Sequence, residues 1–299
     1  MVTDSGMRFI AGMRTDSVGE WARRLRRFLR SPKGYLMVAL VVLAALAIPG
    51  TGGLGAAGVV LGWAVAGAAG TELVLVRLGE GRWRIPSSAL LSGLITGMVL
   101  GPFEPWYTAL IAGAVATEAK HLLRTGRGHV FNPAAFGLLA VFLLFGTGQS
   151  WWGALAELPV PLVAVLLAAC YLVADRANKV PAALAFLGTY ATLFTLTAFA
   201  GVGGEVAAIF RPPFLQAALF FAFFMVTDPP TSPVQFREQA EVGAAVAVAS
   251  WLVFMVTGGE YFLLAGLLAG NVLWAMWRTI SHPRRAERGR GATRVAQAR

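Results

Sequence analysis

The stretch "FFMVTDPPTSP", from Phe223 to Pro233, changes from aromatic and aliphatic residues to an aspartate and three prolines within a few positions. Pro229 and Pro230 lack backbone donors. They predict that a helix ends near Asp228 and leaves the carbonyl groups of residues 223–227 without intrahelical partners. Inside a membrane such groups persist only where protein, water or a ligand satisfies them. We therefore expect this turn to be buried or to line a cavity, although a purely structural turn at the membrane surface explains the same residues.

The composition indicates that lipid surrounds most of the chain. Hydrophobic residues make up 57% of the 299 residues, charged residues make up 13%, and the mean hydropathy is +0.66. One soluble core cannot bury that much apolar surface, so we predict a polytopic membrane protein in contact with the bilayer. The net charge of +10 does not indicate a nucleic-acid partner, because the basic residues are not gathered on a folded polar domain.

Ten apolar segments predict an all-α fold with about ten transmembrane helices. Four of them, 87–101, 105–118, 132–146 and 212–227, are shorter than the roughly 20 residues that a hydrocarbon core requires. Fifteen helical residues cover only about 22 Å of a core about 30 Å thick, so these segments are expected to be tilted, broken or half-spanning. The other six segments are 34–49, 54–76, 152–174, 181–201, 239–257 and 260–278.

The distribution of positive charge predicts the orientation. With ten crossings and a cytoplasmic amino terminus, all of the 25 lysines and arginines except Arg211 fall on the cytoplasmic side. Both termini are therefore expected to be cytoplasmic, residues 1–33 as a basic segment along the membrane surface and residues 281–299 as a basic disordered tail. The same orientation places four aromatic residues in a belt at the outer ends of spans: Trp106, Tyr107, Trp151 and Trp152.

An internal repeat divides the membrane region into residues 34–150 and 151–280. "LSGLITGMVLGPFEPW", from Leu91 to Trp106, and "AALFFAFFMVTDPPTSP", from Ala217 to Pro233, are both apolar runs that end in a proline-rich turn. Because five spans are an odd number, two five-span copies have opposite orientations, which predicts a five-plus-five inverted repeat. Matched short helices in such repeats indicate a central binding site. Chance similarity between apolar strings is the alternative.

A helix start in the first half complements the turn in the second half. In "FNPAAFG", Asn132 is a strong N-cap and Pro133 occupies the first helical position. The orientation places this start and the Asp228 turn on the same side, where together they can hold an anionic or carbonyl-bearing group; capping alone also explains Asn132. The predicted cofactor-binding framework, which includes a symmetry-related wall from the first half, comprises Asn132, Pro133, Asp228, Pro229, Thr231, Ser232, Ser92 and Thr96.

Several chemistries are not expected in this chain. Haem needs histidines within spans, whereas His121, His129 and His282 fall in predicted loops. One cysteine, Cys170, cannot build an iron–sulfur site, and no metal motif or catalytic acid–base pair is apparent. The membrane-proximal glutamates are interpreted mainly as interfacial, with Glu72 and Glu118 as the two that merit testing.

Three motifs in this order resemble one family of membrane subunits. "LSGLITGMVL", "FNPAAFGLL" and "MVTDPPTSPV", within a similarity that extends from Leu36 to Trp277, resemble the family that includes RnfD of the Rnf complex and NqrB of the sodium-pumping NADH:quinone reductase. The resemblance implies a ten-helix inverted repeat in the bacterial inner membrane. It also implies a subunit of an electron transport complex that uses flavin and is coupled to cation transport in some of its members.

One departure from the family concerns the flavin. Members with covalent FMN attach it through a threonine in a Ser-Gly-Ala-Thr type motif, whereas the threonines of "LGTYATLFTLT", from Leu187 to Thr197, lie in an apolar helix without that context. The expected cofactor is therefore riboflavin or FMN bound noncovalently, or else an FMN-carrying partner protein supplies it.

The expected function is that of an integral subunit of a flavin-dependent electron transport complex, in contact with other membrane subunits. Redox chemistry belongs to the flavin, so the residues named above bind and orient it and none acts as an acid or base. A channel or carrier for a small neutral solute, built on the same broken helices, is the alternative. An assembly scaffold without a cofactor is a third.

Overall fold

The computed structural model describes residues 23, 25–81, 83–125, 128–156, 161–201, 204–259 and 261–281. Most of the predicted basic segment 1–33 and nearly all of the predicted tail 281–299 lie outside the described residues. Glu157, Glu260 and His282 lie outside them as well.

Each of the ten predicted apolar segments contains a helix. In chain order these are α1 (Pro32–Ala47), α2 (Val59–Glu80), α3 (Ser87–Val99), α4 (Trp106–Leu122), α5 (Pro133–Phe145), α6 (Pro161–Ala177), α7 (Val180–Phe199), α8 (Phe214–Phe220, continued as a π-helix over Phe221–Val226), α9 (Phe236–Thr257) and α10 (Phe262–Ser281).

Five of these helical stretches are long and apolar enough to cross a bilayer: Pro32–Gly50, Leu54–Glu80, Val180–Phe199, Phe236–Thr257 and Phe262–Ile280. Together with the shorter apolar helices they indicate a multi-pass membrane protein. The stretches Ser87–Val99, Pro133–Phe145 and Phe214–Val226 are apolar but have only 13 residues each. At 1.5 Å per residue each covers about 20 Å, which is less than the hydrocarbon thickness of about 30 Å.

The remaining regular elements are short. A two-stranded antiparallel ribbon between α4 and α5 joins β1 (Arg124–Thr125) to β2 (Gly128–His129), with Arg124 opposite His129. Single turns of 3₁₀-helix cover Ile48–Gly50 and Trp152–Ala154, a longer one covers Gly204–Phe210, and a π-helix over Leu54–Gly58 precedes α2. The ribbon was not predicted, and it carries His129 towards the end of the bundle where α5 begins.

The helices pack in a pattern that recurs in the two halves. In the first half α4 packs between α2 and α5, and in the second half α9 packs between α7 and α10. The halves meet where α1 contacts α6 and where α5 contacts α10. Close helix contact without large side chains is typical of membrane bundles, because dispersion rather than the hydrophobic effect holds helices together in lipid.

Glycines permit the closest of these contacts. A Cβ at Gly113 of α4 would lie 2.1 Å from the carbonyl oxygen of Ala64 in α2, and a Cβ at Gly243 of α9 would lie 2.3 Å from that of Ala182 in α7. Both glycines occupy the eighth position of the fourth helix of their half. No side chain fits there while the helices keep their spacing.

Two expectations about the connection between the halves are wrong. The predicted segment 152–174 does not form one helix, because α6 begins only at Pro161. Trp151 and Trp152 do not lie in an aromatic belt: they are 6% and 2% exposed, and the indole of Trp152 donates to the carbonyl oxygen of Gly97 in α3 at 2.9 Å. A hydrogen-bonding partner inside the bundle allows an indole to be buried completely. Cys170 is fully buried in α6, as predicted.

Candidate functional site

Asn132 connects the start of α5 to the end of α8. Its side-chain oxygen accepts from the backbone amide of Ala135 at 3.0 Å, which is the predicted N-cap. Its side-chain amide donates to the carbonyl oxygen of Met225 at 3.1 Å, and its own backbone amide donates to the side-chain oxygen of Asn271 in α10 at 2.9 Å. One buried residue therefore brings three helix segments together.

The carbonyl groups at the end of α8 are satisfied by protein. Met225 O accepts from Asn132 and from the backbone amide of Asp228, and Phe223 O accepts from the hydroxyl of Thr227. The expectation that these carbonyls lack intrahelical partners is wrong for these two. Side chains supply part of the satisfaction, as the burial of a broken helix in a membrane requires.

The turn after α8 is held by Asp228 in a way that differs from the expectation. The Asp228 carboxylate accepts from the hydroxyl of Thr231 at 3.0 Å, whereas the turn amides of Thr231 and Ser232 donate to the backbone carbonyl of Asp228 at 3.2 and 3.0 Å. The Ser232 hydroxyl also donates to that carbonyl, at 2.8 Å. Neither Thr231 nor Ser232 caps the next helix, because α9 begins four residues later, after Gln235.

A buried lysine closes the turn from the other side. Lys179, which is 5% exposed at the start of α7, donates from Nζ to the carbonyl oxygens of Ser232, at 3.3 Å, and Pro233. Burial lowers the pKa of Lys179 from its ordinary value, and the nearby Asp228 carboxylate raises it in part. The ammonium group therefore completes the satisfaction of the turn by side chains.

A cavity of about 170 Å³ lies between the Asn132 start and the Asp228 turn. Its wall is formed mainly by aliphatic and aromatic side chains: Leu36, Leu91, Ile95, Val173, Phe223 and Phe224. Polar groups stand at its rim: Ser92, Lys120, His129, Asn132, Thr227 and Asp228. We call this space the apolar cavity. An apolar chamber with a few polar groups at its edge is the usual form of a small-molecule site.

The predicted framework residues are placed unequally around the apolar cavity. Asn132, Pro133, Asp228, Pro229 and Ser92 all line it. Thr231 and Ser232 lie behind the turn and hold it. The symmetry-related wall is therefore found through Ser92, on α3.

Thr96, one turn further along α3, is fully buried and does not line the apolar cavity. Its hydroxyl has no hydrogen-bond partner among the described residues.

A charged cluster beside the cavity was only partly anticipated. The Glu72 carboxylate accepts from Lys120 Nζ at 2.6 Å and lies 2.8 Å from His121 Nε2, and Lys120 Nζ also donates to the Ser88 hydroxyl at 3.0 Å. Glu72 merited testing, as predicted, whereas Glu118 is exposed. His121 lies in the last turn of α4 and not in a loop.

Sequence reasoning missed four residues around the site. His129 Nε2 lies 3.5 Å from the Asp228 carboxylate, Lys120 lines the cavity, and Lys179 and Asn271 hold its two backbone walls. Asn271 carried a usable signal, since an amide within an apolar helix usually has a bundle-facing role. The other three depend on contacts between distant segments.

The fold and the site define a multi-pass membrane protein with a ligand-sized cavity where two helices are interrupted. The model of the NQR2, RnfD, RnfE family matches residues 160–285, a range that holds α6 to α10 and the Asp228 turn. The resemblance found from the sequence motifs is thereby confirmed.

Known relatives carry the same family name. The chain is 28% identical to the RnfD protein of the ion-translocating oxidoreductase complex from Halorhodospira halophila, with 56% of this chain and 66% of that protein covered. It is 35% identical to the corresponding protein from Sodalis glossinidius, over 25% of this chain and 20% of that protein, and 34% identical to the one from Cronobacter sakazakii, over 22% and 19%. The chain thus spans about two thirds of the first relative and about a fifth of the other two.

Proposed function

We propose that this chain is an integral membrane subunit of an ion-translocating, flavin-dependent electron transport complex. The observation that carries the proposal is the apolar cavity, where the Asn132 helix start and the Asp228 turn meet. The names of the relatives, which are RnfD subunits of ion-translocating oxidoreductase complexes, support it.

The proposed architecture is a five-plus-five inverted repeat with both termini in the cytoplasm of a bacterial inner membrane. The recurring contacts of α2, α4 and α5 with those of α7, α9 and α10 support it, as do the pairs α1 with α6 and α5 with α10. The matched glycines Gly113 and Gly243 and the equal lengths of α3 and α8 with its π-helix add to this support. The lysine and arginine distribution supports the orientation.

The proposed cofactor is riboflavin or FMN, held noncovalently in the apolar cavity. A flavin ring system needs apolar walls for its faces and hydrogen-bonding groups at its edge. Phe223 and Phe224 supply aromatic surface, and Ser92, Asn132 and Lys120 stand at the rim. The residues present therefore suit the group.

The residues of the chain position the cofactor and exclude water. When bound, flavin accepts and donates electrons and protons. Asn132 fixes the relative position of α5 and α8, so it fixes the spacing of the cavity walls. Lys179 and Asp228 hold the turn that forms one wall, and the aliphatic residues opposite keep that space dry.

The proposed partners are the other membrane subunits of the complex and an FMN-carrying protein. Large apolar side chains on the outer faces of the bundle, such as Leu143, Phe199 and Val256, are exposed in the isolated chain. In the membrane such faces meet lipid or neighbouring subunits.

The rival function is a carrier for a small neutral solute. A second cavity of about 150 Å³, lined by Gln149, Ser150, Trp151 and residues of α8 and α10, lies at the opposite end of α8 and favours it. Phe220 and Phe221, which are almost fully buried, pack against the Trp151 ring at 6.4 and 6.1 Å. A continuous pore would need these rings to move, so alternating access is the form that this rival takes.

Purified full-length protein in detergent separates the two functions. We expect an absorption spectrum of flavin at about one equivalent per chain, or its appearance after incubation with riboflavin or FMN. Flavin-free protein that fails to take up either compound, yet equilibrates a small neutral solute across liposomes, would contradict the proposal in favour of the carrier.

A further inference from the structure

A second cavity of about 300 Å³ adjoins the apolar cavity and differs from it in charge. We call it the polar cavity. It is lined by several cationic or potentially cationic side chains: Lys33, Arg84, Lys120, His121, Arg124 and His129. In the sequence most of these residues indicate only a positively charged membrane face, which does not require a concave arrangement.

The two cavities form one continuous space. Lys33, Ser88, Lys120 and His129 line both. A ligand whose ring system fills the apolar cavity can therefore extend a chain past Ser88 into the polar cavity. The two ends of such a ligand would meet opposite chemical surroundings.

The charges in the polar cavity do not cancel. Four permanently cationic side chains line it, against the two carboxylates of Glu72 and Glu80. Glu72 is already engaged by Lys120 and His121, at 2.6 and 2.8 Å. The remaining excess of positive charge, in a concave space next to a low-dielectric wall, favours binding of an anion.

The Lys120 ammonium is built into this arrangement and is not a flexible surface charge. It is 13% exposed and is held by Glu72 and by the Ser88 hydroxyl. Ser88 begins the part of α3 that lines both cavities. The positive end of the site is thus anchored to the same helix as the ring-binding wall.

We propose that the polar cavity binds the phosphate group of a ligand whose ring system lies in the apolar cavity, so that FMN binds more tightly than riboflavin. This inference rests on the proposed flavin function and decides which of the two flavins the site takes. A phosphate monoester carries nearly two negative charges and three acceptor oxygens, which arginine and lysine side chains recognise well.

Fluorescence titration of the full-length protein in phosphatidylcholine nanodiscs tests the inference. We expect FMN to bind at least about tenfold more tightly than riboflavin. The double variant Lys33→Gln and Arg124→Gln, both at exposed side chains of the polar cavity, should weaken FMN binding to the riboflavin level and leave riboflavin binding unchanged. Arg237→Gln is the matched control, because that side chain is 90% exposed and lies on α9, away from both cavities.

The outcomes separate the two proposals. Equal binding of FMN and riboflavin would overturn the phosphate assignment and leave the flavin site intact. Binding of neither flavin would overturn both. If anionic phosphatidylglycerol in the nanodiscs abolished the FMN preference without affecting riboflavin, a lipid headgroup would be the occupant, and the assignment of the polar cavity to the ligand phosphate would be wrong.

Discussion

The turns that end α3 and α8 solve the same problem in different ways. Both follow an apolar stretch of 13 residues and contain prolines. After α3, backbone groups of residues 148–151 supply most of the partners: Gly101 N donates to Gly148 O at 3.0 Å, and Val99 O accepts from Ser150 N and Trp151 N at 3.0 and 3.2 Å. After α8, side chains from α5, α7 and the turn itself supply many of them.

The difference explains why the candidate site lies at the second turn. A segment of backbone that pairs with a broken helix fills the space beside it. Side chains such as Asn132 and Lys179 reach the freed carbonyls from a distance and leave room between the helices. The same interruption of a helix thus yields a closed joint in one half and a polar-rimmed cavity in the other.

The largest effect is expected from Asn132→Ala. The substitution removes the N-cap of α5, worth about 1 kcal/mol, and leaves the buried Met225 carbonyl short of a donor, which costs about 1–3 kcal/mol. We expect a loss of about 2–4 kcal/mol in stability and at least about tenfold weaker flavin binding, checked by thermal unfolding in detergent and by titration.

Asn132→Ser separates the two contributions of Asn132. Serine keeps an N-cap acceptor but does not reach Met225, so its stability should be intermediate while its flavin affinity falls as for alanine. Wild-type flavin affinity in both variants would contradict the role assigned to side-chain satisfaction.

A smaller effect, equal in the two halves, is expected from Gly113→Ala and Gly243→Ala. The added Cβ meets a backbone carbonyl at 2.1 or 2.3 Å, so each variant should lose about 1–3 kcal/mol of stability. Unfolding temperatures measure this. The control is Gly188→Ala in α7, where nothing lies within 4 Å of the added Cβ and a small gain is expected. If only one of the two variants were destabilised, the halves would not share the packing inferred here.

Removal of the turn hydroxyl in Ser232→Ala should have a modest effect. The hydrogen bond to Asp228 O, at 2.8 Å, is worth about 0.5–1.5 kcal/mol, and its loss should loosen one cavity wall and weaken flavin binding several-fold. Thr192→Val is a suitable control, because the Thr192 hydroxyl bonds within an exposed face of α7. Identical flavin affinity in Ser232→Ala and Thr192→Val would show that the turn does not shape the cavity.

The smallest effect is expected at the turn after α3. Glu104→Ala removes the acceptor for Gly148 N at 2.7 Å, at a partly exposed position where backbone pairs remain. We expect a loss of about 0.5–1 kcal/mol and no change in flavin binding. Unfolding temperature and titration, measured side by side, check both parts. Weaker flavin binding in this variant would break the distinction between the two turns.

Local chemistry made part of this structure predictable. Pro229 and Pro230 end a helix and Asn132 with Pro133 begins one wherever they stand, so the interruptions were visible in the sequence. The apolar segments followed from length and hydropathy. The N-cap of α5 is confirmed in detail.

Contacts between distant segments were not predictable in this way. Nothing near Lys179 in the chain indicates that its ammonium binds carbonyls more than fifty residues away. The burial of Trp151 and Trp152 depends on α3 and α8, and the polar cavity depends on four separate segments. Hydropathy also does not distinguish a π-helix from an α-helix, so the widened end of α8 gave no signal.

Photoaffinity labelling with an azido-flavin, followed by mass spectrometry of the labelled peptides, tests most directly whether the flavin lies between the start of α5 and the turn after α8. We predict labels on peptides that contain residues 88–95, 129–134 or 223–230, with labelling suppressed by excess unmodified flavin. Specific labelling confined to the opposite end, at residues 149–151, 213–217 or 262–263, would contradict this location of the flavin.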